Sequence, residues 1–182
     1  RLKQGKHKGD ILAVGDRVII SILPEGTGMI EEVLPRERAI VRMDPRPRGL
    51  YKQILLANPD QAVFVFACTN PSPRLRMLDR FLVIAEQQEI PIVIVANKVD
   101  LLGKEKAEKL FGHYKEIGYK VLYTSAEEKT GIDILRYTLE GKLSALAGPS
   151  GVGKSSLMNT MQPGLGLEVE EISQALNRGK HT

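Results

Sequence analysis

The sequence predicts an α/β protein in which a doubly wound parallel sheet follows a small segment of short β-strands. Two patterns point there. Residues 62–67, 92–96, 120–124 and 143–147 are apolar at nearly every position, and amphipathic stripes separate them. Strands this apolar on both faces belong to a parallel sheet covered by helices. Ahead of them, residues 12–43 hold short β-branched stretches punctuated by Gly and Pro, the texture of a small barrel.

In chain order, the first strands are expected at 17–22, 28–33 and 39–43, with Val14-Gly15-Asp16 leading into the first. Three strands make an incomplete OB-like barrel. Residues 44–52 carry two prolines and three positive charges, the composition of a linker. Beyond it, Leu75, Leu78, Leu82 and Ala85 mark a helix within 74–88. Ala107, Leu110, Phe111, Tyr114 and Ile117 mark a second, and Ile132, Leu135 and Leu139 a third. A fourth helical run covers 156–161. The expected domains are residues 1–50, a partial OB-like RNA-binding domain, and residues 57–182, the α/β domain. There is no internal repeat.

At 182 residues and 42% hydrophobic composition, one to two domains fit. No apolar run approaches the length that spans a bilayer, and the first eight residues lack the apolar centre of a signal peptide. A cytoplasmic protein is therefore expected. The single cysteine, Cys68, excludes an internal disulfide and a cysteine-rich zinc site, and its place after an apolar run makes it a buried strand residue. The net charge of +4 is unevenly spread: residues 1–52 hold 11 Lys/Arg against 7 Asp/Glu, and the remainder 15 against 15. The first segment is thus the candidate nucleic-acid surface; a solvated, highly charged face is the alternative. The chain begins without methionine and stops at Thr182 with no closing element, which reads as cut at both ends.

Chemistry enters with Gly148-Pro149-Ser150-Gly151-Val152-Gly153-Lys154-Ser155, which lies between an apolar strand and a helical run. This is the context a P-loop requires. Glycines let successive backbone N–H groups turn in around phosphates, and the following helix adds its positive end. Lys154 would bridge the β- and γ-phosphates, Ser155 would ligate Mg²⁺, and Ser156 would reach the α-phosphate. The motif is shared by guanylate kinases. Asn97-Lys98-Val99-Asp100, at the end of the second apolar run, separates the two readings. A carboxylate at Asp100 can accept from both N1–H and the 2-amino group of guanine, which adenine does not offer. Asn97 would tie the base loop to the P-loop and reach N7, and the stem of Lys98 would cover one ring face. A polar strand-to-helix turn is the bland alternative for these four residues. Thr124-Ser125-Ala126 ends the third run and resembles the loop whose alanine N–H donates to guanine O6. All three motifs fall at the carboxyl edge of the sheet, where open α/β sheets bind ligands.

Their order is unusual, because base recognition precedes the P-loop. Joining the ordinary chain ends and opening the chain after the switch regions produces it, so the fold is a circularly permuted P-loop GTPase domain preceded by the OB-like segment. With Pro163-Gly164-Leu165-Gly166 and Arg178-Gly179-Lys180-His181-Thr182 following the P-loop, the whole chain resembles the RsgA family of small-ribosomal-subunit assembly GTPases. The resemblance implies GTP hydrolysis coupled to late maturation of the small (30S) subunit. It also implies rRNA contact through the OB-like domain, stimulation by the subunit, GTP/GDP and Mg²⁺ as ligands, and a monomeric protein. Residues 179–182 would open switch I, where Thr182 or a residue beyond it joins Ser155 on Mg²⁺ and His181 orients the attacking water. His181 and Lys154 are the catalytic candidates.

Two features of the family are missing from the sequence. The one Asp-x-x-Gly match, at residues 100–103, uses an aspartate already committed to guanine, and the zinc-binding C-terminal domain lies outside this chain. The chain as written is expected to bind nucleotide better than it hydrolyses it. An RNA-binding scaffold that holds GTP without turnover is a competing reading, as is a nucleotide kinase, although residues 1–60 resemble no kinase lid. His113 reads as a surface residue, and His7, among lysines, as solvated or RNA-facing.

Overall fold

The computed structural model describes residues 12–43 and 52–162. The chain divides into two compact units that meet between Pro59 and Asp60.

In the first unit β1 (Val18–Ile22) pairs antiparallel with β2 (Gly28–Val33), and β3 (Ala39–Met43) pairs antiparallel with β4 (Lys52–Ala57). The strands predicted at 28–33 and 39–43 form with those bounds. Lys52, read as the end of a linker, instead opens β4, while residues 44–51 lie outside the described residues. Among the described residues the two ladders are separate two-stranded sheets, and a closed OB-like barrel is not formed by them. Polar contacts tie them together. Asp16 accepts from Arg36 through both carboxylate oxygens (Nε to Oδ1 2.6 Å, Nη2 to Oδ2 2.7 Å) and from the Ala13 amide at 2.7 Å. Asn58 accepts from the Glu37 amide at 2.9 Å and donates to the Gly15 carbonyl at 3.1 Å.

The second unit is a parallel sheet in the order β7-β6-β5-β8, from β5 (Gln61–Ala67), β6 (Ile92–Asn97), β7 (Lys120–Thr124) and β8 (Ser144–Ala147). Helices α1 (Leu75–Glu86), α2 (Val99–Leu102) and α3 (Lys104–Glu116) carry the chain through the first two crossovers. Helix α4 (Ile132–Leu139) precedes β8 and α5 (Lys154–Met161) follows it. Every residue of β5 is buried, as its unbroken apolar character predicted. Alternation then sorts its side chains. Val63, Val65 and Ala67 join Val93, Val95, Ile132, Leu135 and Leu157 in one core beneath α4 and α5. Phe64 and Phe66 lie against Phe81 of α1, with ring centroids 5.4 and 6.1 Å apart. Right-handed crossovers dictate this division. The chain steps one way from β5 to β7 and then returns past β5 to β8, so the reversal moves the connecting helix to the opposite face.

Tyr114 donates to Asp79 at 2.7 Å, joining α3 to α1. The buried Gln61 is satisfied by the Thr138 carbonyl at 2.9 Å and the Ser144 hydroxyl at 2.8 Å. Among the described residues no helix is long and apolar enough to cross a membrane.

Candidate nucleotide-binding site

The return of the chain to β8 places all three sequence motifs along the same carboxyl edge of the sheet, after β6, β7 and β8. Register pairs Ala67 with Asn97 and Asn97 with Thr124, so the loops after β5, β6 and β7 emerge side by side. The P-loop leaves β8 on the far side of β5. All four strands are parallel, and the direction in which successive strands are added reverses between β5 and β8, the position where open sheets hold ligands.

Close backbone approach explains two P-loop glycines. A Cβ on Gly148 would stand 2.1 Å from the Val65 carbonyl oxygen, so the loop begins directly on β5. At Gly153, φ is +92° and a Cβ would stand 2.5 Å from Asn97 Nδ2. Only glycine permits both the turn and the neighbour there. Lys154 opens α5 and is buried, its ammonium donating to the carbonyls of Gly148 (3.0 Å) and Pro149 (2.8 Å). Ser155 and Ser156 are exposed in the first turn of α5, Ser150 and Gly151 are exposed on the loop, and Val152 is buried.

Asn97 is the hub. It is 1% exposed, its Nδ2 donates to the Val152 carbonyl at 2.8 Å, and its Oδ1 accepts from Thr124 Oγ1 at 3.0 Å. Because a carbonyl can only accept, these two partners fix which end of the amide points where. One side chain thus links the ends of β6 and β7 to the P-loop. Thr124, the first residue of the third motif, carries no role of its own in the sequence reading. The signal for it is a polar residue closing an apolar strand.

Lys98 adopts a left-handed conformation (φ 64°, ψ 40°), uncommon for a side chain with a Cβ. Its ammonium donates to Gly151 O at 2.7 Å and to Asn70 O, so the aliphatic stem runs from the base loop to the P-loop. Asp100 sits half-buried in the first turn of α2, and its carboxylate makes no hydrogen bond among the described residues. Burial first, and the charge of Asp100 second, push the neighbouring Cys68 thiol up to about 11. That thiol is accordingly unreactive.

Ser125 is fully buried and closes its own turn: its amide donates to the Thr130 carbonyl at 3.0 Å and its hydroxyl accepts from the Glu128 amide at 3.0 Å. Ala126 packs half-buried against the core that holds α5. The Ser125 hydroxyl therefore shapes the loop. His181 and Thr182 lie outside the described residues, as does His7. His113 is exposed on α3, beside Glu116 at 3.9 Å. The Ser155 hydroxyl, a hard oxygen donor on the P-loop helix, suits Mg²⁺. Among the described residues no group of three or more His, Cys, Asp or Glu is placed to hold a metal ion.

The model of the RsgA GTPase family matches residues 33–182. A protein of Gemmatimonas aurantiaca named small ribosomal subunit biogenesis GTPase RsgA is 45% identical over 185 residues, covering 100% of this chain and 60% of the relative. The protein of the same name from Carboxydothermus hydrogenoformans is 42% identical, covering 98% of this chain and 59% of the relative. The chain thus spans about three fifths of these relatives. Among solved structures, YjeQ from Thermotoga maritima superposes with a TM-score of 0.71 at 37% identity, over 85% of this chain and 52% of that one. YloQ, described as a circularly permuted GTPase, gives 0.64 at 33% identity, over 82% of this chain and 50% of that one. Motif order, sheet topology and these likenesses agree, and the chain belongs to the RsgA GTPase family.

Proposed function

We propose that the protein binds GTP and GDP with Mg²⁺ and hydrolyses GTP during late maturation of the small (30S) ribosomal subunit. The observation that carries this reading is the Thr124–Asn97–Val152 chain of hydrogen bonds, which holds a base-reading loop and a phosphate-binding loop in one fixed relation. Asp100 accepts from the guanine N1–H and 2-amino groups, Asn97 reaches N7, and backbone N–H at Ala126 serves O6. The P-loop amides from 150 to 156 and the Lys154 ammonium gather the phosphates, and Ser155 with Thr182 holds Mg²⁺. The metal, when bound, neutralises charge on the β- and γ-phosphates. Hydrolysis adds water to the γ-phosphorus and releases GDP and phosphate, with His181 orienting the water.

The same reading makes residues 1–50 an OB-like segment whose basic excess meets rRNA phosphates, and residues 57–182 the GTPase domain. Zinc belongs to a domain beyond this chain in this reading. The protein acts in the cytoplasm as a monomer, and the subunit stimulates turnover.

The test is Asp100→Asn. The amide donates where the carboxylate only accepted, so preference is expected to pass from GDP to XDP, whose 2-oxo group accepts. The competing bases differ by roughly 10²-fold or more when a buried polar pair is mismatched. Competition of labelled GDP by GDP and XDP measures it, and unchanged GDP preference overturns the base-site assignment.

A further inference from the structure

The β5–α1 turn lies against the P-loop, although none of the three motifs includes it. Asn70 holds φ at 44° and directs its carbonyl oxygen at the Lys98 ammonium, which donates at the same time to Gly151 O. Pro71 Cδ stands 3.7 Å from the point a Gly151 Cβ would occupy. Thus the turn after β5, the P-loop and the loop after β6 meet at one ammonium. Two carbonyls are what hold Lys98 across the site, and a lysine head that lost one of them would keep a freer stem. Asn tolerates positive φ far better than most residues, and a β-branched residue there is an outlier. The residue before a proline is restricted further.

We propose that Asn70 is a positioning residue for nucleotide binding: its left-handed backbone sets the carbonyl that fixes Lys98 against the P-loop. This rests on the guanine-nucleotide reading above. Replacing Asn70 with Val rotates the carbonyl away, while Gly keeps the conformation available. In the full-length protein, Asn70→Val is expected to weaken GDP binding about tenfold, the worth of one hydrogen bond to a charged group. Asn70→Gly is expected to restore affinity to within about twofold of wild type.

The test is titration of labelled GDP into wild type, Asn70→Val, Asn70→Gly, Lys98→Met and the Asn70→Val/Lys98→Met double variant. Melting of each nucleotide-free protein is followed in parallel. If Asn70 acts through Lys98, the Asn70→Val loss disappears in the Lys98→Met background. A loss of the same size in both backgrounds, or one matched by lower melting and not rescued by Gly, overturns the proposal. So does wild-type affinity in Asn70→Val. Absence of GDP binding by the wild type is a different result, since it removes the guanine-nucleotide reading itself.

Discussion

At the scale of single residues, the site depends on polar groups whose partners leave them one orientation. Asn97 is the clearest case, with Thr124 and Val152 holding the two ends of its amide. Lys154 differs, because its ammonium rests on carbonyls of its own loop. Lys154→Ala is therefore expected to leave melting within a few degrees of wild type while GTP affinity falls by at least about a hundredfold, the scale of a charge-assisted contact to phosphate. Calorimetric titration with a GTP analogue, beside thermal melting, measures both. Retained affinity would remove the lysine from phosphate binding. The motif residues themselves were legible in the sequence because glycine spacing and an Asn-Lys-x-Asp turn are local patterns. Thr124 was less so, since its pairing with Asn97 comes from parallel register between residues 27 apart. Local reading also gave no sign that the Ser125 hydroxyl is spent on its own turn.

At the scale of elements, β5 and β6 were readable because burial on both faces leaves runs of apolar residues, β7 and β8 by their shorter apolar stretches, and the helices because their stripes repeat at 3.6 residues. Helix α2 was hidden. Its four residues, Val99–Leu102, are too few to show a period and overlap the motif that Asp100 belongs to. Strand β4 was hidden by composition, since Lys52-Gln53 precede an apolar stretch that runs on toward β5. The P-loop's junction with β6 yields a prediction. Gly153→Ala places a methyl carbon where Asn97 Nδ2 now lies, at a φ of +92°. Nucleotide affinity and the Asn97 orientation should fail together, with a stability loss of about 1–3 kcal/mol for the strained backbone. Denaturant unfolding and GDP titration of the variant measure it, and unaltered values in both would show that the P-loop does not press on Asn97.

At the scale of the whole molecule, the chain carries two units with different demands. The first is held by polar ties as much as by apolar burial. Ile20 and Ile22 of β1 remain 54% and 81% exposed, while the Asp16 side chain is 1% exposed and clasped by Arg36. Hydrogen bonding from Arg36 leads the causes that hold the Asp16 carboxyl below its ordinary value of 3.8. A lowered folded value contributes stability that is complete above 3.8 and is lost as pH falls through the folded value. The melting gap between wild type and Asp16→Asn should therefore be wide near neutrality and close under acid. A gap independent of pH would mean that the clasp contributes through shape alone.

The second unit carries the motifs, and in the proposed reading the switch segment at residues 179–182 follows the P-loop in the sequence. In that reading, a particle that contacts both the switch segment and the basic first unit would order the switch in a way the free protein does not. Small GTPases alone turn over at on the order of 10⁻⁴ per second and accelerate by several decades when a partner orders the site. The most direct measurement is single-turnover GTP hydrolysis by the full-length protein with and without purified small ribosomal subunits, for wild type and His181→Ala. The account predicts slow turnover alone and strong stimulation by the subunit, weakening with added salt, with His181→Ala losing the stimulated rate but keeping GTP affinity. Equal rates with and without the subunit would contradict it.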